Sequence, residues 1–245
     1  MRGLKVEGII VKRRNLGEAD RILTVFTLRK GKISVLAKGV RRITSRRSGN
    51  VELLNRSLMY LHQGKGMPIL TEATTLDTYA ELKMDLTLST YAYHLIELVD
   101  KLTAENILSL KDYFTPQNQE NRILYEHLKE VLKRLVKNPR QIFIRAFEAK
   151  ILSNLGFLSF QQSSGTNLGK NPQVSRFASE ARRAIQIHPK GVHALLGELE
   201  ILSWDEIEKM KVSEKEAMEL ERILRYHVER VIEGSLKSRQ FLKKL

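Results

Sequence analysis

Cysteine is absent from all 245 residues. That excludes disulfides, thiolate nucleophiles and Cys-ligated zinc, and it suits a reducing cytoplasm. Long apolar runs are missing too. Behind Arg2 and Lys5 the first stretch is only Ile9 to Val11, too short for a signal peptide or a spanning helix, so no membrane association is expected. Aromatics are scarce near the N-terminus, where residues 1–80 hold only Phe26, Tyr60 and Tyr79. The most telling absence is acid. Between Asp20 and Glu52 there is none, while Arg21, Arg29, Lys30, Lys32, Lys38, Arg41, Arg42, Arg46 and Arg47 fill the interval.

A surface built only for solubility mixes both signs, whereas a one-signed stretch of this length sets up a directed field. Its natural target is a polyanion, and the commonest is nucleic acid. The formal charge of +14 is concentrated there: residues 1–80 hold sixteen Lys and Arg against six Asp and Glu. Few stacking platforms go with this charge. A binder of that kind leaves bases free, which suits strand annealing better than tight sequestration.

The first eighty residues read as five strands: Val6 to Arg13, Ile22 to Leu28, Lys32 to Lys38, Val51 to His62 and Met67 to Thr75. Gly31 and Gly64-Lys65-Gly66 mark turns, and Arg41 to Asn50 a long polar loop. In the third strand Ile33, Val35 and Ala37 share one parity and Lys32, Ser34 and Lys38 the other, predicting a buried face and a cationic face. Five short strands in this length fit an OB-type barrel. From Thr78 the apolar period changes to that of helices: Leu86 to Leu102, Ile123 to Val136, a helix opened by Asn138-Pro139 and closed by Gly156, Ser175 to Ile187, Val192 to Leu202, and a last helix from the capping box Ser213 to Glu216 up to Gly234. The expected fold is α+β, an OB-fold barrel over 1–80 followed by an all-α domain over 81–245, with a flexible linker at 161–173.

Several constellations resemble sites without the chemistry of one. Glu18 and Asp20 lack a third acid for a metal-assisted phosphoryl transfer and are expected to pair with Arg14 or Arg21. Gly165 to Asn171 echoes a phosphate loop but has one residue too few between its glycines and no Ser or Thr after its lysine. His188 and His193 stand without carboxylate or thiol company. Catalysis is not expected.

Gly8-Ile9-Ile10-Val11-Lys12-Arg13-Arg14-Asn15, Gly17-Glu18-Ala19-Asp20-Arg21-Ile22-Leu23-Thr24, Gly31-Lys32-Ile33 and Ala37-Lys38-Gly39-Val40-Arg41 resemble the opening of the bacterial RecO family. Leu224-Arg225-Tyr226-His227, Leu236-Lys237-Ser238-Arg239 and Phe241-Leu242 resemble its C-terminus. The resemblance implies a DNA repair and recombination mediator. Such a protein binds single- and double-stranded DNA, anneals complementary strands and acts with RecR to load RecA onto DNA coated by single-strand-binding protein. It implies a cytoplasmic, nucleoid-associated protein. Many relatives carry a four-cysteine zinc module after the position of Leu155-Gly156-Phe157; here Gln161 to Arg183 has no cysteine, so the module is lost and no cofactor is expected.

On this basis the DNA-binding set is Arg13, Arg14, Lys32, Lys38, Arg41, Arg42, Arg46 and Arg47. Lys129, Lys133 and Lys137, four apart on one helix face, with Arg140 and Arg145 following, are a candidate dock for the acidic C-terminal tail of single-strand-binding protein. Phe143 and Phe147 line an apolar notch beside it or else belong to the core, and Arg176 and Arg183 either widen the patch or contact DNA. Two alternatives stand beside the mediator: an RNA-binding OB-fold protein of the translation apparatus, since charge alone does not separate DNA from RNA, and a nuclease or nucleotide hydrolase, which the missing carboxylate clusters oppose.

Overall fold

The computed structural model describes residues 2–64, 66–106, 116–157 and 190–238. Five strands, β1 (Arg2–Leu16), β2 (Asp20–Thr27), β3 (Gly31–Ala37), β4 (Arg56–Gln63) and β5 (Ile69–Asp77), close into a barrel in the order β1-β2-β3-β5-β4. All neighbours are antiparallel except the β3–β5 seam, where Leu36 meets Ile69 in parallel. This is the connectivity of the five-stranded OB-type Greek key. The long β1 serves two partners, pairing its first half with β4 and its second with β2. Such a switch needs close approach, and Gly8 permits it: a Cβ there would lie 2.4 Å from Val25 Cγ1.

Alternation along the strands builds two cores. Val6, Ile10, Leu23, Val25, Ile33, Val35, Met59, Leu61 and Leu70 fill the barrel. On its outer wall, Ile9, Val11 and Phe26 belong instead to the core of the helices. A bulge between Ile10 and Lys12 reverses the parity of β1, so that Arg13 comes to lie opposite Leu23, in the inner row.

The helices are α1 (Ala80–Met84), α2 (Leu86–Leu102), α3 (Pro116–Lys137), α4 (Gln141–Asn154), α5 (Lys190–Ile201), α6 (Trp204–Lys209) and α7 (Glu214–Ile232). Central α4 is buried on every side from Ile142 to Leu152. The expected capping box opens α7, Ser213 and Glu216 exchanging side-chain and backbone bonds, and a second, Ser203 with Glu206, opens α6. No helix among the described residues is long and apolar enough to cross a membrane.

Three boundaries differ from expectation. The apolar run beginning at Val51 is not strand: Gly49–Val51 is a 3₁₀ turn and Leu54 adopts φ 72°, so β4 starts at Arg56. The helix expected to open at Asn138-Pro139 starts at Gln141, after an extended Arg140 with no side-chain cap. The left-handed residue closing α7 is Glu233, φ 53°, one position before Gly234. The expected linker at 161–173, the helix Ser175 to Ile187, the Gly165 to Asn171 segment, Arg176, Arg183 and His188 lie outside the described residues, as do Arg239, Phe241 and Leu242.

Candidate nucleic-acid interface

The acid-free segment after β3 becomes a chain of tight turns across one side of the barrel. Val40 and Val51 plug into the barrel core at either end of it, and the turns between are tied by Arg42 N–H to Gly39 O, Ser45 N–H to Arg42 O and Asn50 N–H to Arg47 O. Gly39, at φ 65°, makes the sharp exit from β3, and its N–H donates to Asp20 Oδ1 at 2.7 Å. The result is a cleft of about 570 Å³ lined by Lys38, Gly39, Arg42, Thr44, Ser45, Arg46, Arg47 and Asp20. Four cations face one carboxylate. Ser45 Oγ, buried in the wall, has no protein partner and is an unused hydroxyl donor.

The expected DNA-binding residues divide by what their side chains already hold. Lys38, Arg42 and Arg46 are exposed and converge on the cleft. Arg41 is exposed beside them with one bond, to Gly17 O at 2.9 Å, and Arg14 is exposed on β1. Arg13 is partly spent: with Arg21 it holds Glu52 at the end of the barrel. This also corrects the expected pairing of Glu18 or Asp20 with Arg14 or Arg21, because Asp20 instead caps Gly39.

Arg47 lines the cleft, but its guanidinium donates to Leu70 O at 2.6 Å and Lys38 O at 2.8 Å. It pins the loop to β5 and the end of β3. Arg47→Ala is therefore expected to cost about 1–3 kcal/mol of stability, whereas Arg46→Ala stays within about 0.5 kcal/mol. Urea unfolding of the two variants side by side makes the comparison, and equal losses would remove Arg47 from its anchoring role.

Lys32 is a correction. It is only 7% exposed, and its ammonium meets the Asp100 backbone carbonyl and carboxylate at the end of α2. Burial pushes its pKa down, with Asp100 opposing. The alternation of β3 is the expected one, but its outer face is roofed: Asn106 N–H donates to Lys32 O at 2.7 Å, and its Nδ2 to Lys30 O at 2.8 Å. Gly31 sits under the same roof, where a Cβ would come within 2.6 Å of Asn121.

The proposed tail dock is largely dismantled. Arg145 is 7% exposed and bridges buried Glu148 at 2.8 Å and, towards the surface, Glu221 at 3.3 Å. Phe143 and Phe147 are wholly buried core, so they form no notch. Arg140 donates to the carbonyls of Glu208 and Met210, closing the end of α6. Lys129 pairs with Glu126, leaving Lys133 and Lys137 exposed.

Periodicity alone missed a second concavity, because it joins the two halves of the chain. A groove of about 320 Å³ has Val11, Leu53, Tyr93 and Ile96 in it, with Lys12, Lys101 and Lys237 around them. Both acids there are engaged. Asp100 takes Lys12 and Lys32, and Glu97 accepts the backbone N–H groups of Lys237 and Ser238, both at 2.8 Å. Burial works to raise the Glu97 pKa, but the bonds from Ser238 and Lys237 outweigh it and hold it low.

Among the described residues no three His, Cys, Asp or Glu side chains converge as metal ligands would. The thiolates of a four-cysteine zinc module exist nowhere in the chain, so its residues do not fit that group.

Residues 1–79 match the family model described as recombination protein O N terminal, and residues 104–240 match recombination protein O C terminal. Among curated proteins, the DNA repair protein RecO of Desulforamulus reducens is 27% identical over 263 aligned positions, covering 100% of this chain and 96% of that protein. RecO of Pelotomaculum thermopropionicum is 28% identical over 253 positions, covering 99% and 94%. RecO of Acetivibrio thermocellus is 34% identical over 166 positions, covering 66% and 61%.

Proposed function

The chain belongs to the recombination protein O family of DNA repair and recombination proteins, and from that premise we propose that it is a non-enzymatic strand-annealing mediator. The observation that carries this reading is the cleft at which exposed Lys38, Arg42 and Arg46 converge, which offers several cations to successive phosphates. Contacts of that kind bind single- and double-stranded DNA irrespective of sequence and weaken steeply with salt. Neutralising the phosphates of two strands at once lowers their mutual repulsion, which is the physical requirement for annealing.

Partnership with RecR, and through it the loading of RecA, extends the same reading, as does action in the cytoplasm at the nucleoid. For the acidic tail of single-strand-binding protein, the groove at the barrel–helix junction suits better than the α3 face. Lys101 and Lys237 are exposed there beside apolar Val11, Leu53 and Ile96. Rim cations of this sort would speed association, and the apolar floor would govern release.

The test is annealing of complementary strands already coated with single-strand-binding protein, run in parallel with naked DNA and with RNA. Annealing of coated DNA is the expected result. Failure on every DNA substrate overturns the mediator reading, annealing of RNA alone favours the translation alternative, and magnesium-dependent cleavage of labelled DNA would replace it with a nuclease.

A further inference from the structure

We propose that Ile43 contacts bases: its side chain packs on the face of an unpaired base whose phosphates lie in the adjoining cleft. The proposal rests on the DNA-binding reading above and deepens it. Ile43 is 105% exposed, the most exposed large hydrophobic among the described residues, ahead of Met84 at 87%. Single exposed aliphatics are ordinary; the setting of this one is not. Its chain neighbours Arg42 and Thr44 line the cleft and Ile43 does not, so it stands at the rim of the phosphate-binding concavity.

It is also held there. The bond from Ser45 N–H to Arg42 O, 2.9 Å, closes a turn with Ile43 at its crown, and the anchors Arg41 to Gly17 O and Arg47 to Leu70 O brace that turn from both sides. A fixed apolar side chain costs little to bury, because its backbone is already ordered.

The surroundings select the occupant. Arg41, Arg42 and Arg46 flank the crown, and from Arg21 to Val51 the chain has no acid, so whatever covers Ile43 must be anionic and offer apolar faces. An unstacked nucleobase does both, and every base has such a face, so the contact is blind to sequence. In a duplex those faces are occupied by stacking. Ile43 therefore favours single strands and junctions, while the cations bind any phosphate backbone. An aliphatic contact is weaker than an aromatic platform, so the base stays available for pairing.

The test compares wild type with Ile43→Ser on single-stranded and duplex DNA of equal length, titrated across a salt series. A fully exposed position tolerates the change without unfolding. Single-strand affinity is expected to fall about fivefold to tenfold, with duplex affinity and both salt slopes unchanged. On a strand of abasic sites, wild type should already show the loss and Ile43→Ser should add nothing. Equal affinities of the two proteins for the normal strand, or equal losses on single strand and duplex, overturn the base contact while salt-dependent binding keeps the DNA-binding reading intact. Wild type that binds neither substrate overturns both.

Discussion

Replacing Lys38, Arg41, Arg42 and Arg46 together by Ala is expected to lower DNA affinity by two to three orders of magnitude, on the order of 1 kcal/mol for each lost phosphate contact. The thermal transition should stay in place, because these side chains are exposed and of the four only Arg41 makes a side-chain hydrogen bond, to one carbonyl. The decisive readout is the salt dependence. Each neutralised phosphate contributes about 0.9 to the logarithmic slope on duplex and about 0.7 on single strands. Four lost contacts should flatten it by about 3.6 and about 2.8 respectively. Arg47 and Lys32 are left in place because the fold already uses them: one pins the loop to carbonyls, the other is sealed beneath α2. An unchanged slope in the fourfold variant would move the interface off this cleft.

The largest expected loss of stability comes from the middle of α4. Glu148 is buried with Arg145 on one oxygen at 2.8 Å and His94 Nε2 on the other at 2.7 Å. His94 Nδ1 in turn faces Ser238 Oγ at 3.3 Å. Burial alone would raise the carboxyl's pKa, but Arg145 and His94 outweigh it and hold it at about 2, against an ordinary 4.5. Glu148→Gln keeps the shape and removes the charge, leaving a buried guanidinium with only Glu221, and should cost about 3–5 kcal/mol at neutral pH. The sign of the pH dependence follows from a folded pKa below the unfolded one. The carboxylate's contribution is complete above about 4.5 and drains away as pH falls towards about 2. Urea unfolding at pH 7 and pH 3 should therefore show the gap between wild type and variant narrowing in acid. A gap of constant width would mean that Glu148 is not the ionised centre of this network.

Local chemistry was legible in the residues; long-range cover was not. The turn at Gly31 and the capping box at Ser213 depend on a few adjacent positions, and both occur as read. Strand parity correctly separated Ile33, Val35 and Ala37 from Lys32, but parity knows only two faces and says nothing of a helix end lying on the outer one. The same limit hid Arg145. As one of the cations following the lysine face of α3 it was expected at a surface, yet α4 is enclosed on all sides, and the signal that could have shown this was Glu148 three residues on, a partner in the same apolar run. Arg140 shows a third case, a cation consumed by the unpaired carbonyls of another helix end. The basic loop was readable because nothing covers it. Its division into anchors and free charges depended on carbonyls of β5, some twenty residues away.

The outer wall of the barrel is also the floor of the helical core: Ile9, Val11 and Phe26 pack with residues of α2, α3 and α4, and Phe26 lies 6.2 Å from Tyr125, ring centre to ring centre. The change of period near Thr78 is thus a border of architecture, not a seam along which the molecule comes apart. Severed there, the barrel would show three large apolar side chains to water and the bundle would lose part of its own interior. A shared interior of this kind opposes an independent swivel of the two halves. If the chain anneals strands as proposed, the rearrangement that brings them into register falls to the nucleic acid rather than to a hinge between barrel and bundle.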